Sequence, residues 1–91
     1  MTRRVRILIE GRLQAMNFRF RTQQQAQKLG LTGFVRTLSD GRIEIEAQGD
    51  EGSIGKILAW CQEEPQSSQI RSILYRYEEK ITERYSDFNV R

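Results

Sequence analysis

An α+β sandwich of the ferredoxin-like kind is the fold this sequence predicts: βαββαβ with a short extra C-terminal strand, an antiparallel sheet and two helices on one face. Three observations carry it. Residues 5–9 and 43–47 alternate apolar and polar side chains at the period of a half-buried strand. Two later stretches repeat apolar residues at helical spacing. An Asp40-Gly41 turn joins two strand-like runs, and Asp-Gly tolerates the positive φ angles that tight hairpins need.

The elements follow in order. Val5, Ile7 and Ile9 alternate with Arg4, Arg6, Leu8 and Glu10 as a first strand, and a loop begins at Gly11. A helix runs from about Phe18 to Leu29, with Phe18, Thr22, Ala26 and Leu29 on one face and Gly30 placed to end it. Residues 31–38 suit a second strand. In the third, Ile43, Ile45 and Ala47 face one way and Arg42, Glu44 and Glu46 the other. A second helix starts near Glu51, carries Ile54, Ile57, Leu58 and Cys61 on one face, and stops before Pro65. "PQSSQ" reads as a polar connection, 70–78 as a fourth strand and 85–90 as a short last strand around Phe88 and Val90.

A length of 91 residues predicts one domain over 1–91. The longest apolar run, Ile7-Leu8-Ile9, cannot span a membrane, and no charged leader precedes an apolar stretch, so a cytoplasmic, monomeric protein is the expectation. The formal charge is +3, and no block of like charges marks a nucleic-acid tail. "GFVR" echoes the signature of an RNA-binding sheet but lacks its further aromatics, so no nucleic acid is expected. The single cysteine, Cys61, can form no intrachain disulfide and no zinc site alone, and the chain has no histidine. Triad chemistry and most zinc chemistry are excluded. Arginine, carboxylates, hydroxyls, amides and backbone groups are left to do any catalysis.

Two places could hold chemistry. "GRLQAMNFR" at 11–19 joins a strand to a helix N-terminus, where unpaired N–H groups and a bidentate arginine can cradle an anion. It also reads as an ordinary connection with solvated arginines. "GFVRTLSDG" at 33–41 is the other, and hairpin chemistry alone accounts for it.

Both stretches resemble motifs of the acylphosphatase family. The first family motif is G-x-V-Q-G-V-x-F-R, and Gly11-Arg12-Leu13-Gln14-Ala15-Met16-Asn17-Phe18-Arg19 is similar to it without a gap. The second is G-[FWY]-V-[KR]-N-x-x-x-G-x-V-x5-G, and Gly33-Phe34-Val35-Arg36-Thr37 followed by Gly41, Ile43 and Gly49 resembles it at the right spacings. The resemblance implies metal-independent, cofactor-free hydrolysis of a small acyl phosphate to carboxylate and phosphate. It implies a phosphate-binding loop of Gln14, Ala15, Met16, Asn17, Phe18 and Arg19, able to take inorganic phosphate or sulfate. Arg19 corresponds to the phosphoryl-binding arginine, and Thr37 stands where the family's water-ordering asparagine would be.

Two departures shape the expected activity. Ala15 replaces a loop glycine, and a positive φ there would cost roughly 1–2 kcal/mol. Thr37 falls short of an asparagine's reach by about one bond length, roughly 1.5 Å. The expectation is a slow acylphosphatase with a degraded active site. The alternative is an inactive acylphosphatase-like module that binds a phosphate-type anion or a protein partner. Asn17 is expected to cap the following helix through its side chain, and Arg12 and Arg21 to be solvated.

Overall fold

The computed structural model describes residues 2–13, 17–63, 65–78 and 84–91. The chain order is β1 (Thr2–Gly11), α1 (Phe18–Lys28), β2 (Thr32–Thr37), β3 (Ile43–Asp50), α2 (Glu51–Cys61), a 3₁₀ turn (Ser67–Gln69), β4 (Ile70–Glu78) and β5 (Phe88–Val90). The five strands form one sheet in the order β4-β1-β3-β2-β5. β1 pairs antiparallel with β3 and β4, and β2 antiparallel with β3. The short tail strand runs parallel to β2 and makes the sheet mixed, pairing Gly33 with Phe88 and Val35 with Val90. It is shorter than the run 85–90 suggests.

One face of the sheet meets the helices. Val5, Ile7 and Ile9 from β1 and Ile43, Ile45 and Ala47 from β3 are buried with Phe18 and Ala26 of α1 and Ile54, Ile57, Leu58 and Cys61 of α2. Both helices end as their sequences dictate. Gly30, at φ 72°, closes α1: its N–H donates to Gln27 O at 3.1 Å and the Leu31 N–H to Ala26 O at 2.9 Å. That is the bond pair of a Schellman motif, and a left-handed glycine supplies it without strain. Asp50 caps α2 by accepting from the Gly52 N–H at 3.0 Å.

The other face departs from the alternation rule. Glu44, Glu46 and Gln48 are buried, as is Arg4 across from Gln48. Gln48 Oε1 accepts from Arg4 Nε at 3.1 Å and from its terminal nitrogen at 2.8 Å. Arg36 donates to Glu44 at 2.6 Å, and Arg6 lies 3.4 Å from Glu44 and 3.7 Å from Glu46. Tyr85 covers this layer: its hydroxyl donates to Glu46 and its ring meets Phe34 edge-on. The third strand is therefore buried on both faces, because charged neighbours and a residue far along the chain supply the cover. Burying these carboxylates is tolerable only with such partners.

Candidate active site

The candidate loop leaves β1 through a close approach. A Cβ on Gly11 would lie 2.2 Å from the carbonyl oxygen of Gln69, so only glycine fits without moving backbone. The Arg12 N–H donates to that same oxygen at 2.9 Å. Gln14, Ala15 and Met16 lie outside the described residues.

The chain re-enters description at Asn17, whose φ of 54° and ψ of 44° are left-handed. It is the single non-glycine residue with positive φ among the described residues. Asn17 stands at the N-cap of α1, yet its side chain makes no capping bond, which corrects the expectation. Its carbonyl instead accepts from the Arg21 N–H at 3.1 Å. A left-handed residue feeding a right-handed helix alternates the backbone hand, the conformation in which successive N–H groups converge. No acidic side chain occupies the first turn. The helix start thus keeps the donor groups and partial positive charge that favour an anion.

Phe18 fixes the inner side of that turn. It is 1% exposed and stacks on Trp60 with ring centroids 5.6 Å apart. Arg19 points outward: it is exposed and makes no side-chain hydrogen bond or ion pair among the described residues. Arg21 is not a solvated neighbour. One of its terminal nitrogens donates to Gln66 Oε1 at 2.8 Å, and its guanidinium lies 5.7 Å from the Trp60 ring centroid. The sequence holds no local signal for this bond, because the partners are 45 residues apart.

Leu13, Asn17, Phe18, Arg19, Thr37 and Ile43 line one cleft of about 70 Å³. Arg19 and Thr37, predicted from separate stretches, therefore meet. Thr37 ends β2 opposite Ile43 and points to the helix face of the sheet, as Val35 does. Leu13 and Ile43 were not singled out as lining residues, although an apolar residue beside each turn could have marked them. Their burial gives the cleft a dry floor, and Arg19 is the one charged side chain among its described lining residues. No group of three or more metal-ligating side chains occurs among the described residues. Thiol chemistry is remote, since burial pushes the Cys61 thiol up to about 12.

The acylphosphatase family profile matches residues 5–90, so the chain belongs to the acylphosphatase family. An acylphosphatase of Methylococcus capsulatus is 39% identical over 88 residues, covering 97% of this chain and 95% of that one. The structure of an acylphosphatase from Coxiella burnetii superposes with a TM-score of 0.86 at 31% identity, over 99% of this chain and 93% of that one. The acylphosphatase from Bacillus subtilis gives a TM-score of 0.84 at 26% identity, with 99% and 98% covered.

Proposed function

We propose that the cleft hydrolyses small acyl phosphates to a carboxylate and inorganic phosphate. The observation that carries this reading is that Arg19, which has no side-chain partner among the described residues, and Thr37 line one cleft at the start of α1. In the proposed mechanism the backbone N–H groups of residues 14–19 and the Arg19 guanidinium hold the phosphoryl oxygens. Thr37 orders a water. The water oxygen bonds to phosphorus, the bond from phosphorus to the carboxyl oxygen breaks with its electron pair leaving on the carboxylate, and the water's proton passes to phosphate or solvent. A carboxylate leaves readily, so the protein need supply only positioning and charge stabilisation. That task requires neither histidine nor a metal.

Turnover in this reading is slow, because the threonine hydroxyl offers one oxygen where an asparagine offers both a donor and an acceptor further out. In this reading residues 1–91 act as one catalytic domain, monomeric and cytoplasmic. Phe34 contributes to the fold rather than to a base-stacking surface, being 5% exposed beneath Tyr85. The deciding experiment measures phosphate release from a small acyl phosphate for the wild type and Arg19→Ala. Faster release by the wild type upholds the reading, and equal release at the buffer rate removes it. The threonine at 37 favours a second reading, an inactive module that binds a phosphate-type anion. Chemical-shift changes at residues 13–19 on phosphate titration, without hydrolysis, would identify it.

A further inference from the structure

The connection 65–69 touches the candidate loop at both of its ends. At the entry, the Gln69 carbonyl accepts from the Arg12 N–H at 2.9 Å, and Gly11 packs against the same carbonyl. At the exit, the Gln66 side chain, 1% exposed, uses both ends of its amide. Its Nε2 donates to the Trp60 carbonyl at 2.7 Å, and its Oε1 accepts from Arg21 at 2.8 Å. Trp60 in turn stacks on Phe18. Phe18 and Arg21 thus bracket Arg19 within the first turn of α1. Arg19 has no side-chain partner of its own among the described residues, so it inherits its position from that turn. A buried amide satisfied at both ends is a fixed strut, since moving it strands polar groups away from water.

We propose that Gln66 is a positioning residue of the anion site. Through Arg21 and Trp60 it holds the exit of the loop while Gln69 holds the entry, and together they set the Arg19 guanidinium relative to Thr37. The proposal rests on the reading of Arg19 as the phosphoryl clamp. Gln66 itself touches no substrate.

The test compares wild type, Gln66→Ala, Gln66→Glu, Arg19→Ala and Val5→Ala. The last is a core change near the opposite end of β1 and controls for lost stability. Each folded protein, checked by circular dichroism, is assayed for kcat and KM on a small acyl phosphate and for inorganic phosphate affinity by NMR. Gln66→Ala is expected to lose on the order of tenfold or more in kcat, as misplaced catalytic groups do. Gln66→Glu keeps an acceptor facing Arg21 but loses the donor to the Trp60 carbonyl, so it recovers only part of that loss, while Val5→Ala keeps the wild-type kcat. Trp60 is the chain's one tryptophan, so its emission shifts in Gln66→Ala and stays put in Arg19→Ala. Unchanged kcat and KM in folded Gln66→Ala, or an equal loss in Val5→Ala, overturns the proposal. If Arg19→Ala is as active as wild type, the reading of the cleft fails first. Phosphate affinity then judges the strut alone, and wild-type affinity in Gln66→Ala overturns it.

Discussion

The two walls of the cleft are held in different ways. The helix wall, Phe18 to Arg21, is fixed by distant partners: Trp60 beneath Phe18 and Gln66 against Arg21. The hairpin wall, Thr37 to Gly41, is fixed mainly by its own turn. Leu38 donates its N–H to Arg42 O at 2.7 Å, Gly41 to Leu38 O at 2.9 Å, and Asp40 accepts from the Arg42 N–H at 3.0 Å. The positive charge therefore depends on tertiary packing, whereas the hydroxyl sits at the exposed end of a strand. A change at Thr37 is expected to cost little stability and to be read in the assay of the proposed activity. A change at Phe18 alters stability before chemistry.

Substitutions should break this contrast in a graded order. Arg19→Ala removes the one charged side chain among the described lining residues and is expected to lower phosphate release by about 100- to 1,000-fold, read in the acyl phosphate assay. Phe18→Ala leaves Trp60 unstacked and is expected to cost about 3–5 kcal/mol in urea unfolding. On the hairpin wall, Thr37→Asn should raise release by on the order of tenfold to a hundredfold with the urea midpoint unchanged, and adding Ala15→Gly should raise it further. No gain from either would show that the helix wall limits turnover.

Two pH responses sharpen the contrast at smaller scale. Burial raises the Cys61 thiol from 9.0 to about 12, favouring the folded, protonated form. That stabilisation is complete below pH 9 and lost as pH rises toward 12, so Cys61→Ala should flatten the alkaline limb of a Tm-against-pH curve. At the hairpin, the Arg42 N–H holds the Asp40 carboxyl below its ordinary 3.8. Its contribution is present above pH 3.8 and fades as pH falls through the lowered value, an effect Asp40→Asn should abolish.

Much of this was legible because it is local. Strand alternation, the Asp-Gly hairpin, the Gly30 stop and helix faces at four-residue spacing act within a few residues of chain, and the structure realises each of them. Motif spacing also paired Arg19 with Thr37. What stayed hidden depends on distant partners. Glu44 and Glu46 read as a solvent face because nothing nearby announces Arg6, Arg36 and Tyr85 as their cover. Arg21 looked solvated because Gln66 lies across the fold. Asn17 looked like a side-chain cap, yet asparagine is also the non-glycine residue that most readily turns left-handed, and the loop uses that property.

The tail strand bears on how the chain assembles. β5 has three residues, yet Phe88 is 1% exposed in the core, and β5 closes the edge of the sheet against a strand formed from residues 32–37. Such a contact closes a long loop of chain, and its entropic cost must be met before the pairing returns anything. The sheet's last stitch is thus expected to form late in folding. Until it does, β2 offers an unpaired margin to any other extended segment, and refolding yield should fall as protein concentration rises.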